Sequence, residues 1–169
     1  MKRMTALLCA LLFLLASGCG NASVPESPDT AVQPGALPAE RFVTLVSSYL
    51  SDGEAPLTVS KDDSEAFLVP LSETEKQTLY LLELGDLELA VFADEKSDGL
   101  LGAYVRMLYD DASAEADLFT LTAACLRVLE PQQYEAMLKE AAAGSESSGE
   151  MWTIYPGGEI MNLLPREAD

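Results

Sequence analysis

Between residues 65 and 109 short polar breaks divide the chain into four strand-like runs, Glu65–Leu71, Gln77–Leu84, Leu87–Ala93 and Leu100–Tyr109, the last two alternating along one face. A period of two places successive side chains on opposite faces of a strand. Leu87, Leu89, Val91 and Ala93 share one face of the third run, and Ala103, Val105, Met107 and Tyr109 share one face of the fourth. Gly85-Asp86 is short enough for a tight hairpin, and Asp94-Glu95-Lys96-Ser97-Asp98-Gly99 suits a longer one. Such a segment forms an antiparallel sheet with one face wet and one covered, so the rest of the chain must supply the cover.

Helical periodicity supplies it. Phe42, Leu45, Val46, Tyr49 and Leu50 fall at i, i+3, i+4, i+7 and i+8, which predicts a helix over 38–51 with Pro38 in its first turn and Asp52-Gly53 as its stop. Residues 53–63 read as a loop, with room for a short extended piece at Leu57-Thr58-Val59. A second helix is predicted from Ala114 to Leu129, capped by Ser113 or Asp111, with Leu118, Thr122, Cys125, Leu126 and Leu129 as its core stripe. Pro131 opens a third, lined by Tyr134, Leu138, Ala141 and Ala142 and stopped by Gly144. After the polar loop 144–149, Met151–Tyr155 and Glu159–Leu164 flank Pro156-Gly157-Gly158 as a final hairpin.

The predicted order is therefore α-β-β-β-β-α-α-β-β: an α+β fold in which an antiparallel sheet of about five or six strands packs against about three helices. That order is similar to the one in type III secretion chaperone-like folds; no motif accompanies the likeness, and it implies nothing about function.

The first 18 residues have a different character. Lys2 and Arg3 are followed by an apolar run over residues 4–16, which matches a signal-peptide core and ends too early to span a bilayer of about 30 Å. Leu15-Ala16-Ser17-Gly18-Cys19 resembles the lipobox of bacterial lipoproteins. The resemblance implies cleavage before Cys19, lipid on that cysteine and attachment to the extracytoplasmic face of the cell membrane. Two acyl chains hold a protein stably where one is marginal. Gly20 to Pro38 carries four prolines and no apolar period, as a semi-extended tether does. The expected organisation is a signal peptide over 1–18, a tether with lipidated Cys19 over 19–37 and a single α+β domain over 38–169.

Charge narrows the partners. The chain has 28 acidic and 10 basic residues, and two of the basic ones lie in the leader, so eight face 28 after it, a formal −20. A field of that sign repels phosphate backbones and disfavours nucleic acid. With no histidine, Ser-His and Cys-His nucleophile pairs and histidine-containing zinc sites are excluded. Cys9 lies in the leader and Cys19 at the cleavage point, so Cys125 has no internal disulfide partner and reads as a small apolar core residue.

No other pattern identifies a reaction. There is no G-x-S-x-G elbow, no serine three residues before a lysine and no phosphate-cradling glycine loop. Asp110, Asp111, Ser113, Glu115 and Asp117 alternate as calcium ligands do, but a loop starting at Asp111 puts Ala116 at the glycine position and Thr122 at the closing carboxylate. Starting at Asp94 puts Gly99 correctly but Lys96 at a ligand position and Val105 at the end. Both segments read better as a capped helix start and a hairpin turn. Trp152 reads as core, and Tyr155 as an aromatic at a wet hairpin edge, suited to a recognition patch.

No cofactor is implied, and no catalytic or metal residue is assigned. The expected function is a non-enzymatic binding module of the cell envelope, with an envelope protein or peptide as partner. A carboxylate-dependent enzyme on an envelope polymer and a cation-binding module stay open as alternatives.

Overall fold

A computed structural model describes residues 27–50, 66–70, 76–108 and 112–167. The leader, Cys19, the Asp52-Gly53 stop, the loop over 53–63 and the pair Asp110-Asp111 lie outside the described residues. The elements are α1 (Ala39–Leu50), β1 (Ala66–Pro70), β2 (Lys76–Leu84), β3 (Leu87–Asp94), β4 (Leu100–Met107), α2 (Ala112–Leu129), α3 (Tyr134–Ala142), β5 (Ser147–Ser148), β6 (Trp152–Pro156) and β7 (Ile160–Pro165).

All seven strands join one sheet in the order β1-β2-β3-β4-β7-β6-β5, every neighbouring pair antiparallel. The fold is α+β, as expected, with six strands of five residues or more and a two-residue edge strand inside the predicted 144–149 loop. Topology explains how it closes. The chain leaves β4, crosses through α2 and α3, enters at the far edge as β5, then walks back so that β7 pairs with β4. Ala103↔Leu163 and Val105↔Met161 stand opposite each other across that last seam, all four on the buried face.

The period-two pattern is read directly by the structure. Leu87, Leu89, Val91 and Ala93 are buried together with Leu82, Ala103 and Val105 against the helices. A bulge between Phe92 and Ala93 brings Ala93 opposite Leu100 and turns Leu100 into the same core. From α1 come Phe42, Val43, Leu45 and Val46; from α2, Leu118, Leu121, Ala124, Cys125, Leu126, Val128 and Leu129. Trp152 is fully buried and donates its indole N–H to the Val32 carbonyl at 2.5 Å.

Four expectations need correction. The predicted tether to residue 37 is partly built into the domain: Val32 N–H donates to Leu129 O at 2.9 Å, Gly35 N–H to Leu100 O at 2.7 Å, and Leu100 N–H to Leu37 O at 2.8 Å. Val32 and Leu37, two apolar residues amid prolines, bury themselves in the core and fix the segment. Pro38 lies before α1 rather than inside it, in a bridge with Gly99, where any Cβ would overlap the Gly35 backbone.

The second helix starts at Ala112, so Ser113 is within its first turn rather than at its cap. In α3, which begins three residues after Pro131, the buried residues are Met137 and Ala141, whereas Ala142 is exposed. The reason is geometric: Met137 and Ala141 are one turn apart and face the β5–β6 end of the sheet, and a further step of one residue rotates Ala142 away by about 100°. Gly144 ends this helix as predicted, its N–H bonding to Ala141 O.

Candidate functional site

The residues singled out by sequence do not converge. Cys125 is fully buried in α2, and burial alone pushes its thiol far above the ordinary cysteine range, the opposite of what a nucleophile needs. In the Asp94–Gly99 turn, Asp94 Oδ1 accepts hydrogen bonds from the Ser97 N–H at 2.8 Å, the Ser97 hydroxyl at 2.9 Å and the Lys96 N–H at 3.0 Å. Those donors, the Ser97 pair foremost, hold its carboxyl below the usual range. Asp98 accepts the Tyr80 hydroxyl at 2.8 Å. This turn thus employs its carboxylates in its own closure. Glu115 and Asp117 are exposed along α2. Among the described residues no three Cys, Asp or Glu side chains come together as a metal site.

Among the described residues two carboxylates are buried, and both serve the fold. Glu88, on the sheet face away from the helices, pairs with Arg106 at 2.7 Å and accepts the Tyr104 hydroxyl at 3.0 Å. Glu130, just after α2, accepts the backbone N–H groups of Met151 at 2.6 Å and Trp152 at 2.8 Å, locking the start of β6 to the helix layer. Around Glu88 the open sheet face presents Leu79, Leu81, Phe92, Tyr104, Tyr155, Ile160 and Leu164, the last 42% exposed. Tyr155 is half-buried there, whereas Trp152 faces the core.

The more structured surface lies among the helices. A groove of about 350 Å³ is lined by Tyr49 at the end of α1, by Phe119, Thr120, Ala123, Ala124 and Arg127 of α2, and by Leu138 of α3. That volume falls at the lower end of small-ligand pockets. Arg127 closes one end. Its guanidinium carbon sits 4.3 Å from the centroid of the Tyr49 ring and 5.5 Å from that of Tyr134. Guanidinium groups stack on aromatic faces because the ring quadrupole attracts the cation while the planar donors stay free at the edge. The Tyr134 hydroxyl donates to Glu135 at 2.9 Å, and that bond, with a small contribution from burial, raises its pKa.

Sequence reading placed Tyr49, Tyr134 and Leu138 on core stripes and passed over the groove. A signal was present: Phe119, Ala123 and Arg127 recur at i, i+4 and i+8, one position beyond the core residues Leu118, Thr122 and Leu126. A second semi-apolar strip ending in a cation beside a core stripe marks a surface that the domain leaves partly uncovered.

Comparison of the chain with protein-family models, curated proteins and solved structures finds no match. The class defined here is therefore architectural: an acidic α+β domain, one sheet covered on one face by three helices, with a groove among the helices.

Proposed function

We propose that this chain is a bacterial lipoprotein, held by lipid on Cys19 at the extracytoplasmic face of the cell membrane, whose domain acts as a non-enzymatic binding module of the envelope. The single observation that carries the reading is the sequence Leu15-Ala16-Ser17-Gly18-Cys19 at the end of a positively started apolar leader. No helix among the described residues is long and apolar enough to cross a membrane.

The built-in segment shortens the expected reach. With Val32 fixed to the domain, the thirteen links from Cys19 extend at most about 40 Å at roughly 3.1 Å per residue. The module thus works close to the bilayer. Binding is favoured over hydrolysis because the two buried carboxylates are both engaged in holding strands and helices together, while the aromatic-flanked groove is open.

Cys19→Ala tests the anchor: the substituted protein is expected in the soluble or secreted fraction, and full retention in the membrane pellet contradicts it. A photo-crosslinking residue placed at exposed Thr120 tests the module: in the native host it is expected to give one discrete adduct, and an adduct pattern matching that of a crosslinker at exposed Glu115 contradicts a binding role for the groove.

A further inference from the structure

The groove carries a charge that no carboxylate among the described residues pairs with. Among the described residues no carboxylate lies within 4 Å of Arg127; Arg106–Glu88 is the ion pair of that kind. Glu135, next to Tyr134, uses Oε1 to accept the tyrosine hydroxyl. In a chain with 28 acidic residues and 10 basic ones, an exposed cation lying over two aromatic rings, with no carboxylate among the described residues within 4 Å, is placed to receive an anionic ligand.

The chemistry of that ligand follows from the donor. A guanidinium fork matches the two oxygens of a carboxylate, and stacking on Tyr49 and Tyr134 restricts its rotation, so less freedom is lost when the pair forms. A phosphate ester matches the fork equally well but carries more negative charge into a strongly acidic field. Beyond the guanidinium the lining turns apolar, through Phe119, Ala123, Ala124 and Leu138. The complementary group is a single carboxylate with an apolar side group directly attached. The groove is open to solvent between helices, which suits a peptide terminus better than an acyl chain needing enclosure along its length.

We propose that this groove binds the free C-terminal carboxylate of a peptide or protein ending in an apolar residue, with the carboxylate on Arg127 and the terminal side chain against Phe119 and Leu138. This ligand assignment rests on the binding-module reading and is independent of the anchor.

The test uses the purified mature chain and an N-terminally labelled peptide, Ala-Ala-Ala-Leu-Phe, as free acid and as C-terminal amide, read by fluorescence polarisation. The free acid is expected to bind about tenfold or more tightly than the amide, the scale of one charge-assisted pair. Arg127→Gln is expected to remove that difference by weakening the acid alone, and Arg127→Lys, which keeps charge but loses the stacked fork, to restore part of it. Arg127 is exposed, so neither change threatens folding.

Equal binding of acid and amide, or an unchanged preference in Arg127→Gln, overturns the carboxylate assignment. Displacement of the peptide by decanoate or inorganic phosphate at lower concentrations than by unlabelled peptide also overturns it, in favour of a lipid or phosphate ligand. Failure of the free acid to bind overturns it as well, and the Thr120 crosslink then decides the broader reading by itself.

Discussion

Replacing Glu130 by alanine should remove about 3–5 kcal/mol of folding stability, out of a total on the order of 5–15 kcal/mol for a domain of this size. Glu130 is 1% exposed, and its Oε1 accepts two backbone N–H groups, from Met151 at 2.6 Å and Trp152 at 2.8 Å. Hydrogen bonds to a charged partner contribute roughly 1.5–3 kcal/mol each, and losing the acceptor strands two donors, that of Trp152 fully buried. Glu130→Gln keeps an oxygen in place and should cost only about 1 kcal/mol, the charge assistance.

Gly149 makes the test more specific. A Cβ there would lie 2.5 Å from Glu130 Cδ and 2.8 Å from each carboxylate oxygen. Gly149→Ala must therefore push the carboxylate off its two donors, and is expected to be costly alone but to lose most of that cost once Glu130 is already alanine. Urea denaturation of the four proteins of this cycle, with unchanged slope and shifted midpoint, measures both effects. Glu130→Ala within about 1 kcal/mol of the parent, or strictly additive changes, would refute the role given to this carboxylate.

Other expectations follow from the same contacts. Burial first, then the bond to Asp98, raises the Tyr80 hydroxyl from 10.0 to about 12, so the folded state keeps its proton longer than the unfolded one. The stability this contributes is complete below pH 10 and is lost as pH climbs towards 12. Tyr80→Phe should flatten the alkaline stability profile over that window, and superimposable profiles would contradict it. Arg106→Met should destabilise by about 1–2 kcal/mol, a figure reduced because Arg106 is 46% exposed while the Glu88 it leaves behind is nearly buried; a loss under about 0.3 kcal/mol in thermal melts would show the pair to be idle. Cys125 should resist thiol reagents in the folded protein and react promptly in urea, and rapid native labelling would contradict its burial.

What the sequence disclosed, and what it hid, has a physical basis. Leu87, Leu89, Val91 and Ala93 announced the sheet because a strand's period is local, and Gly85-Asp86 and Pro156-Gly157-Gly158 announced hairpins because turn chemistry is local too. Glu88, set between those apolar residues, looked like a wet-face residue; its burial depends on Arg106 and Tyr104 on another strand, a pairing no short window contains. Val32 and Leu37 looked like incidental apolar residues in a spacer, because the backbone partners that fix them, Leu129 and Leu100, are remote in sequence. Ser147–Ser148 is too short to show any period.

The groove was hidden for the same reason. Tyr49, Arg127 and Tyr134 meet only after four strands and a helix have formed between the first and the last, and each alone is well explained as helix surface or core edge. Local periodicity can find a second strip such as Phe119, Ala123 and Arg127, but it cannot show that the rings of two other helices stack on its cation.

The proposed lipid anchor is the central claim of the functional account, and its chemistry can be read directly. Mass spectrometry of the N-terminal peptide from protein made in its native host should find Cys19 as the first residue with a diacylglyceryl group on sulfur. An unmodified Cys19 thiol, or leader residues still joined to it, would contradict the account.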